Sequence, residues 1–147
     1  MKKIAIITTK WNPEFVGPCV ESILETLHVN TVEEDAIDII TVPGWVEIPL
    51  TAKKLALTGR YDAIIGVAFI CENPIYRFDF VAASVVENII RVGVETWVPV
   101  LSSSLSPVKF NREDPKDIEF YSSHMKIKWQ EAAESCLEII AVHNAIV

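Results

Sequence analysis

The sequence predicts a single α/β domain spanning residues 1–147, a three-layer α/β/α sandwich around a four-stranded, mainly parallel sheet. Three observations carry that reading. Four short runs rich in β-branched residues alternate with helical patterns along the chain. The runs are apolar throughout rather than alternating, as strands buried on both faces are. Half of the residues are hydrophobic and 22% are charged, which is enough for one core and too little charge for disorder. No internal repeat, low-complexity tract or polar linker marks a second domain.

The elements follow in order. Lys3 to Thr8 reads as the first strand, with a loop from Thr9 to Pro13. A helix starting at Glu14 or Pro18 runs to His28, with Val20, Ile23, Leu24 and Leu27 on one face. Gly17-Pro18 suits its first turn better than its interior. Ala36 to Val42 is the second strand, ended by Pro43-Gly44. The second helix runs from about Glu47 to Thr58, with Pro49 in its first turn and Gly59 as its stop. Tyr61 to Cys71 is the third strand and Glu72-Asn73-Pro74 breaks it. The third helix spans Phe78 to Val92, with Val81, Val85, Ile89 and Val92 facing inward. Val98 to Ser104 is the fourth strand. Ser106 to Lys116 is polar, holds two prolines and reads as mostly loop. The last helix begins between Asp117 and Lys126 and reaches about Asn144, with Ala133, Cys136 and Ile140 among its apolar positions.

Charge and composition exclude several classes. Net charge is -7 and the sequence pI about 4.9. The nearest basic cluster is Lys126, Lys128 and His124, too small for a nucleic-acid groove. Cys19, Cys71 and Cys136 match no zinc or redox spacing and read as small buried hydrophobes of a reducing cytosol. The apolar run after Lys2-Lys3 is short and ends at Lys10, so it is a strand rather than a signal peptide. No stretch approaches the ~20 apolar residues of a membrane span, and a cytoplasmic protein is expected.

In parallel α/β sheets, ligands bind beyond the carboxyl ends of the strands. Four loops therefore matter: Thr9 to Pro13, Pro43 to Glu47, Cys71 to Arg77 and Ser102 to Pro107. Trp11 either stacks on a planar ring or forms a packing lid over the sheet edge. Glu47 falls at a helix start, where the dipole favours a carboxylate and where ligand hydroxyls could donate to it. Trp45 is a second aromatic wall or a subunit contact. Arg77, before the third helix, could pair with phosphate or with Glu72 or Asp79. The third loop has no glycine and Pro74 lacks an N–H, which excludes a P-loop cradle. Ser102, Ser103, Ser104 and Ser106 lack a Gly-x-Ser-x-Gly elbow, and His28 and His143 fall near helix C-termini, which argues against a serine hydrolase. No metal-ligand spacing occurs.

Together the loops resemble the lumazine synthase family over nearly the whole chain. The matching residues are Trp11-Asn12 after the first strand, then Val42-Pro43-Gly44-Trp45-Val46-Glu47-Ile48-Pro49-Leu50 with Ala52-Lys53-Lys54-Leu55-Ala56. Tyr61 to Gly66, Phe78 to Ala82 and Val98 to Leu101 follow in order. Trp11 and Ile75-Tyr76-Arg77 are closest to the type II branch. The resemblance implies condensation of 5-amino-6-ribitylaminouracil with 3,4-dihydroxy-2-butanone 4-phosphate to 6,7-dimethyl-8-ribityllumazine, with no cofactor. It implies sites shared between subunits of a pentamer, or of a decamer in type II members. Residue by residue, it would stack Trp11 on the pyrimidine, place Asn12 among the substrate-binding residues, and set Trp45, Val46 and Glu47 against the ribityl chain. Ile70 and Cys71 would offer backbone groups to the heterocycle, and Asn73, Ile75 and Tyr76 would face the phosphate.

The chain departs from the family at several places. Arg77 stands where most members have a proton-shuttling His, and an arginine is always protonated near neutral pH. Arg77 thus becomes the expected catalytic group by stabilising negative charge. Phe78 stands where type II members often have a His. Asn73-Pro74 replaces a glycine-containing turn, Trp45 a small residue, and Ser102 an aromatic at the end of the fourth strand. The family's phosphate-binding Arg has no counterpart around Phe120 to His124, leaving Lys126 or Lys128 as substitutes. Lys3 opens the first strand without an upstream segment, so a pentamer or decamer is expected rather than an icosahedral shell. Two readings follow: a low-activity synthase, or a non-catalytic ring protein that carries lumazine or a flavin such as riboflavin or FMN.

Overall fold

In the computed structural model, which describes residues 2–72 and 74–147, four parallel strands form one sheet in the order β2-β1-β3-β4. They are β1 (Lys3–Thr9), β2 (Ile37–Val42), β3 (Tyr61–Phe69) and β4 (Val100–Leu105). The helices are α1 (Pro13–Val29), α2 (Ile48–Leu57), α3 (Phe78–Thr96) and α4 (Pro115–Ile146). The central strands β1 and β3 are almost wholly buried, as unbroken apolar runs require.

Alternation along these strands splits the interior into two cores. Ile4, Ile6, Ala63, Ile65, Val67 and Phe69 face α1 and α4. Ala5, Ile7, Ile64, Ala68 and Ile70 face α2 and α3. A one-residue slip would exchange the two sets, so burial on both faces fixes the register. At Gly66 a Cβ would lie 2.9 Å from Ile48 Cγ2, which is how closely the start of α2 rests on β3. Burial pushes the Cys19 and Cys136 thiols up, Cys136 to about 12, so both behave as the buried hydrophobes expected.

Strand β3 ends at Phe69 rather than Cys71 and β4 opens at Val100 rather than Val98, and three helix boundaries also differ from expectation. Helix α1 starts at Pro13 and carries Gly17-Pro18 in its interior. Pro18 forgoes one bond to the Glu14 carbonyl, but both Gly17 and Pro18 face solvent, while Phe15, Val16 and Cys19 bury around them. Helix α3 continues a turn past Val92 and stops at Trp97, whose φ of 65° is left-handed. Helix α4 begins at Pro115 rather than after Asp117. The Asp114 carboxylate accepts the Lys116 N–H at 2.9 Å, and a proline at the first helical position loses no intrahelical bond. Among the described residues no helix is long and apolar enough to cross a membrane.

At the amino end of the sheet, Lys3 Nζ donates to Asp38 Oδ1 and the Tyr61 hydroxyl to Asp38 Oδ2, both at 2.8 Å, tying β2, β1 and β3 together. The Lys3 hydrogen bond, and then that of Tyr61, hold the Asp38 carboxyl below its ordinary range. A depressed carboxylate contributes stability that is complete above its unfolded value, near pH 4, and is lost as pH falls through the lower folded value. Asp38→Asn should therefore lower stability at pH 7 and flatten its loss below pH 4. Denaturant midpoints at pH 7 and pH 3 measure this, and an unchanged difference between the two would contradict it.

Candidate functional site

The carboxyl ends of β2, β1 and β3, neighbours in the sheet, bring the first three loops together. Trp11 leaves β1 and is 63% exposed. Its indole Cδ1 and Nε1 each lie 3.2 Å from where a Cβ on Gly44 would stand, and Glu47 Oε2 lies 3.3 Å from the same point. The backbone of Gly44 is extended, so space and not conformation demands glycine there. The indole and a carboxylate thus converge on the Gly44 backbone. Glu47 precedes α2, and its side chain makes no capping hydrogen bond, which leaves the carboxylate exposed to a ligand. Trp45 is half-buried against the core beneath α2 and α3.

Asn12 follows Trp11 in the left-handed region, with φ of 54°, a conformation asparagine tolerates. Its Nδ2 donates to the Phe69 carbonyl at 2.9 Å, at the end of β3. Its Oδ1 accepts from Arg112, whose guanidinium also reaches Glu14 Oε1 at 2.8 Å and Cys71 Sγ at 3.5 Å. Ile70 is buried and Cys71 half-buried at the end of β3.

Arg77 caps α3 and forms a bidentate pair with Asp79, Nε to Oδ1 at 3.1 Å and Nη2 to Oδ2 at 2.9 Å. That pairing raises the guanidinium and depresses the carboxyl. The guanidinium carbon also lies 4.0 Å from the centre of the Phe80 ring. Phe80, Val46 and Leu50 line a groove of about 450 Å³ between α2 and α3, so the second loop shares a wall with the first turn of α3. Ile75 and Tyr76 are exposed on the third loop, and Asn73 lies outside the described residues.

The remaining expected residues sit elsewhere. Ser102 is an exposed residue within β4, not part of a loop, because the strand continues to Leu105. Its neighbour Ser103 is buried, with its hydroxyl 4.0 Å from Cys19 Sγ. Lys128 pairs with Glu131 at 2.8 Å. At 1.5 Å per residue, Lys126 lies roughly 16 Å along α4 from the helix start. Among the described residues neither lysine shares a hydrogen bond or ion pair with the three loops. His28 and His143 lie in the last turns of α1 and α4, and the His124 ring stacks on Phe120. Among the described residues no cluster suits a metal ion.

Sequence reasoning missed Arg112. It sits in a polar stretch between Asn111 and Glu113, where nothing distinguishes it from a solvated charge. Only the fold brings it to Asn12, 100 residues away in sequence.

A family model described as 6,7-dimethyl-8-ribityllumazine synthase matches residues 1–144. The 6,7-dimethyl-8-ribityllumazine synthase of Rhodococcus erythropolis is 36% identical over 134 residues, 91% of this chain and 86% of its own. The 6,7-dimethyl-8-ribityllumazine synthase 2 of Pseudomonas syringae pv. tomato is 37% identical over 139 residues, 95% of this chain and 81% of its own. The 6,7-dimethyl-8-ribityllumazine synthase 2 of Bradyrhizobium diazoefficiens is 33% identical over 135 residues, 92% of this chain and 80% of its own.

The contact over Gly44 gives a direct test of the local geometry. Gly44→Ala should displace the Trp11 indole while the fold stays intact. The Trp11 emission, taken as the difference from the matching Trp11→Phe protein, should shift and quench differently with acrylamide. Identical difference spectra with and without the methyl group would contradict the contact.

Proposed function

The chain belongs to the 6,7-dimethyl-8-ribityllumazine synthase family, and we propose that it carries out the family's reaction at the carboxyl edge of β1 and β3. As a member of that family it is a riboflavin-pathway transferase whose substrates are a ribityl-pyrimidine and a sugar phosphate. In our reading these are 5-amino-6-ribitylaminouracil and 3,4-dihydroxy-2-butanone 4-phosphate. The observation that carries the assignment to this site is the convergence of Trp11 and Glu47 on Gly44. The indole stacks on the pyrimidine while the Glu47 carboxylate accepts hydrogen bonds from the ribityl hydroxyls. The backbone of Ile70 and Cys71 meets the heterocycle edge, and the third loop, with Asn73, Ile75 and Tyr76, faces the phosphate.

Such a site works mainly by holding two reactants together, a contribution of ~7–11 kcal/mol in favourable cases. Arg77 stabilises negative charge and does not take a proton, since its bidentate pair with Asp79 only strengthens its hold on its own. Turnover is therefore low. The same pairing favours a second reading, a non-catalytic carrier of lumazine, riboflavin or FMN.

We also infer a homo-oligomer, with residues 1–147 forming a single folded domain and the type II branch as its nearest kin. Two separate apolar faces support it. Ile90, Val94 and Trp97, the last 89% exposed, line an open groove of about 650 Å³ beside β4. Val46, Leu50 and Phe80 line the second, between α2 and α3. Two different patches on one chain suit head-to-tail contacts that close a ring. Ser102, Lys126 and Lys128 would then serve a neighbouring subunit's site. The three unpaired cysteines favour the cytosol, which cell fractionation tests.

The deciding assay mixes the purified protein with both substrates and follows lumazine formation against a protein-free control. A rate above the control, carried by a pentamer or decamer and lost in Trp11→Ala or Glu47→Ala, is expected. Trp11→Ala should also weaken riboflavin binding more than tenfold, about 1.4 kcal/mol or more. A rate equal to the control with tight ring binding would select the carrier. A megadalton particle by light scattering would contradict the ring.

A further inference from the structure

We propose that Arg112 is a positioning residue for ring binding, a role that rests on the assignment of the site to Trp11 and Gly44. One guanidinium joins two loops. Its Nη2 donates to Asn12 Oδ1 at 2.5 Å and to Cys71 Sγ at 3.5 Å, while Nη1 donates to Glu14 Oε1 at 2.8 Å. Asn12 passes the link onward through Nδ2 to the Phe69 carbonyl. The residues on either side of this network are Trp11, which would stack on the ring, and Ile70-Cys71, whose backbone would meet its edge. Arg112 thus sets the gap between the stacking face and the strand end.

The guanidinium can do this because its own loop is anchored. Phe110 is buried in a cluster with Phe15, Phe69 and Tyr121, at centroid distances of 5.3–5.6 Å. The Tyr121 hydroxyl donates to the Lys109 carbonyl at 2.9 Å. The Asn111 N–H donates to Asp117 Oδ2 at 2.7 Å, and Asn111 Oδ1 accepts the Glu113 N–H at 3.0 Å. Backbone on both sides of Arg112 is therefore fixed to the core and to α4. Phe69 takes part twice, its ring holding the Arg112 loop and its carbonyl holding Asn12. A lysine cannot reproduce the arrangement, because its single nitrogen cannot serve partners spaced across a planar fork.

Arg112→Ala, Arg112→Lys and Asn12→Ala test the proposal, with Arg91→Ala as control for loss of an exposed guanidinium paired within α3. Amide exchange at Phe15 and Val16, whose N–H groups both donate to the Asn12 carbonyl at 3.0 Å, should rise about fivefold or more in Arg112→Ala, a local opening that the control lacks. Riboflavin affinity, read by tryptophan quenching, should fall about tenfold, with partial recovery in Arg112→Lys. The double variant Arg112→Ala/Asn12→Ala should bind no worse than Asn12→Ala, since both act through one network. In turnover, KM for the ribityl-pyrimidine should rise with little change in KM for the sugar phosphate, whereas general unfolding would lower the active fraction for both alike. Unchanged exchange, unchanged affinity or fully additive losses would overturn the proposal. If the native protein bound no ring, the ring assignment would fall, and exchange alone would decide whether Arg112 holds the loops: faster exchange supports it and unchanged exchange overturns it.

Discussion

Burial of β1 and β3 on both faces is the constraint on which the rest depends. A strand without a polar side must be covered above and below, and a parallel strand must be re-entered from the same end. Those two demands place α1 and α4 on one face and α2 and α3 on the other. They also put every strand-to-helix loop at one edge. Trp11, Gly44 and Glu47 become neighbours because the sheet sends their loops to the same edge. The Asn12 side chain, reaching the Phe69 carbonyl, converts that proximity into fixed geometry.

What gathers at that edge suits binding better than proton transfer. An indole, a carboxylate and strand-end backbone can grip a polar heterocycle with a hydroxylated tail. Two arginines near that edge are committed. Arg77 is occupied by Asp79 and covers Phe80, and Arg112 is shared among Asn12, Glu14 and Cys71. The histidines lie in the last turns of α1 and α4 or against Phe120. A site of this kind draws its rate from holding its reactants together.

The sequence spoke clearly where burial was uniform. The runs Lys3 to Thr8 and Tyr61 to Cys71 announced the central strands, and the Pro43 to Pro49 segment announced the turn that carries Glu47. It spoke less clearly where prolines had two meanings. Pro18 is carried inside α1 because Phe15, Val16 and Cys19 outweigh one missing hydrogen bond. Pro115 opens α4 because Asp114 caps it. Ser102 fell in both the fourth strand and the loop as read from sequence, and pairing with β3 places it in β4, which runs past it to Leu105. Arg112 was silent because its partners are distant in sequence and a single arginine in a polar stretch has no pattern. Lys126 and Lys128 were chosen for charge alone, and the length of α4 carries them away from the loops of their own chain.

The most direct measurement is a crystal structure of the protein with 6,7-dimethyl-8-ribityllumazine bound. The ring should lie flat on the Trp11 indole, with its ribityl hydroxyls on the Glu47 carboxylate and its edge against the backbone of Ile70 and Cys71. A ring seated elsewhere, for instance in the groove lined by Ile90, Val94 and Trp97, with Trp11 and Glu47 untouched, would contradict the account.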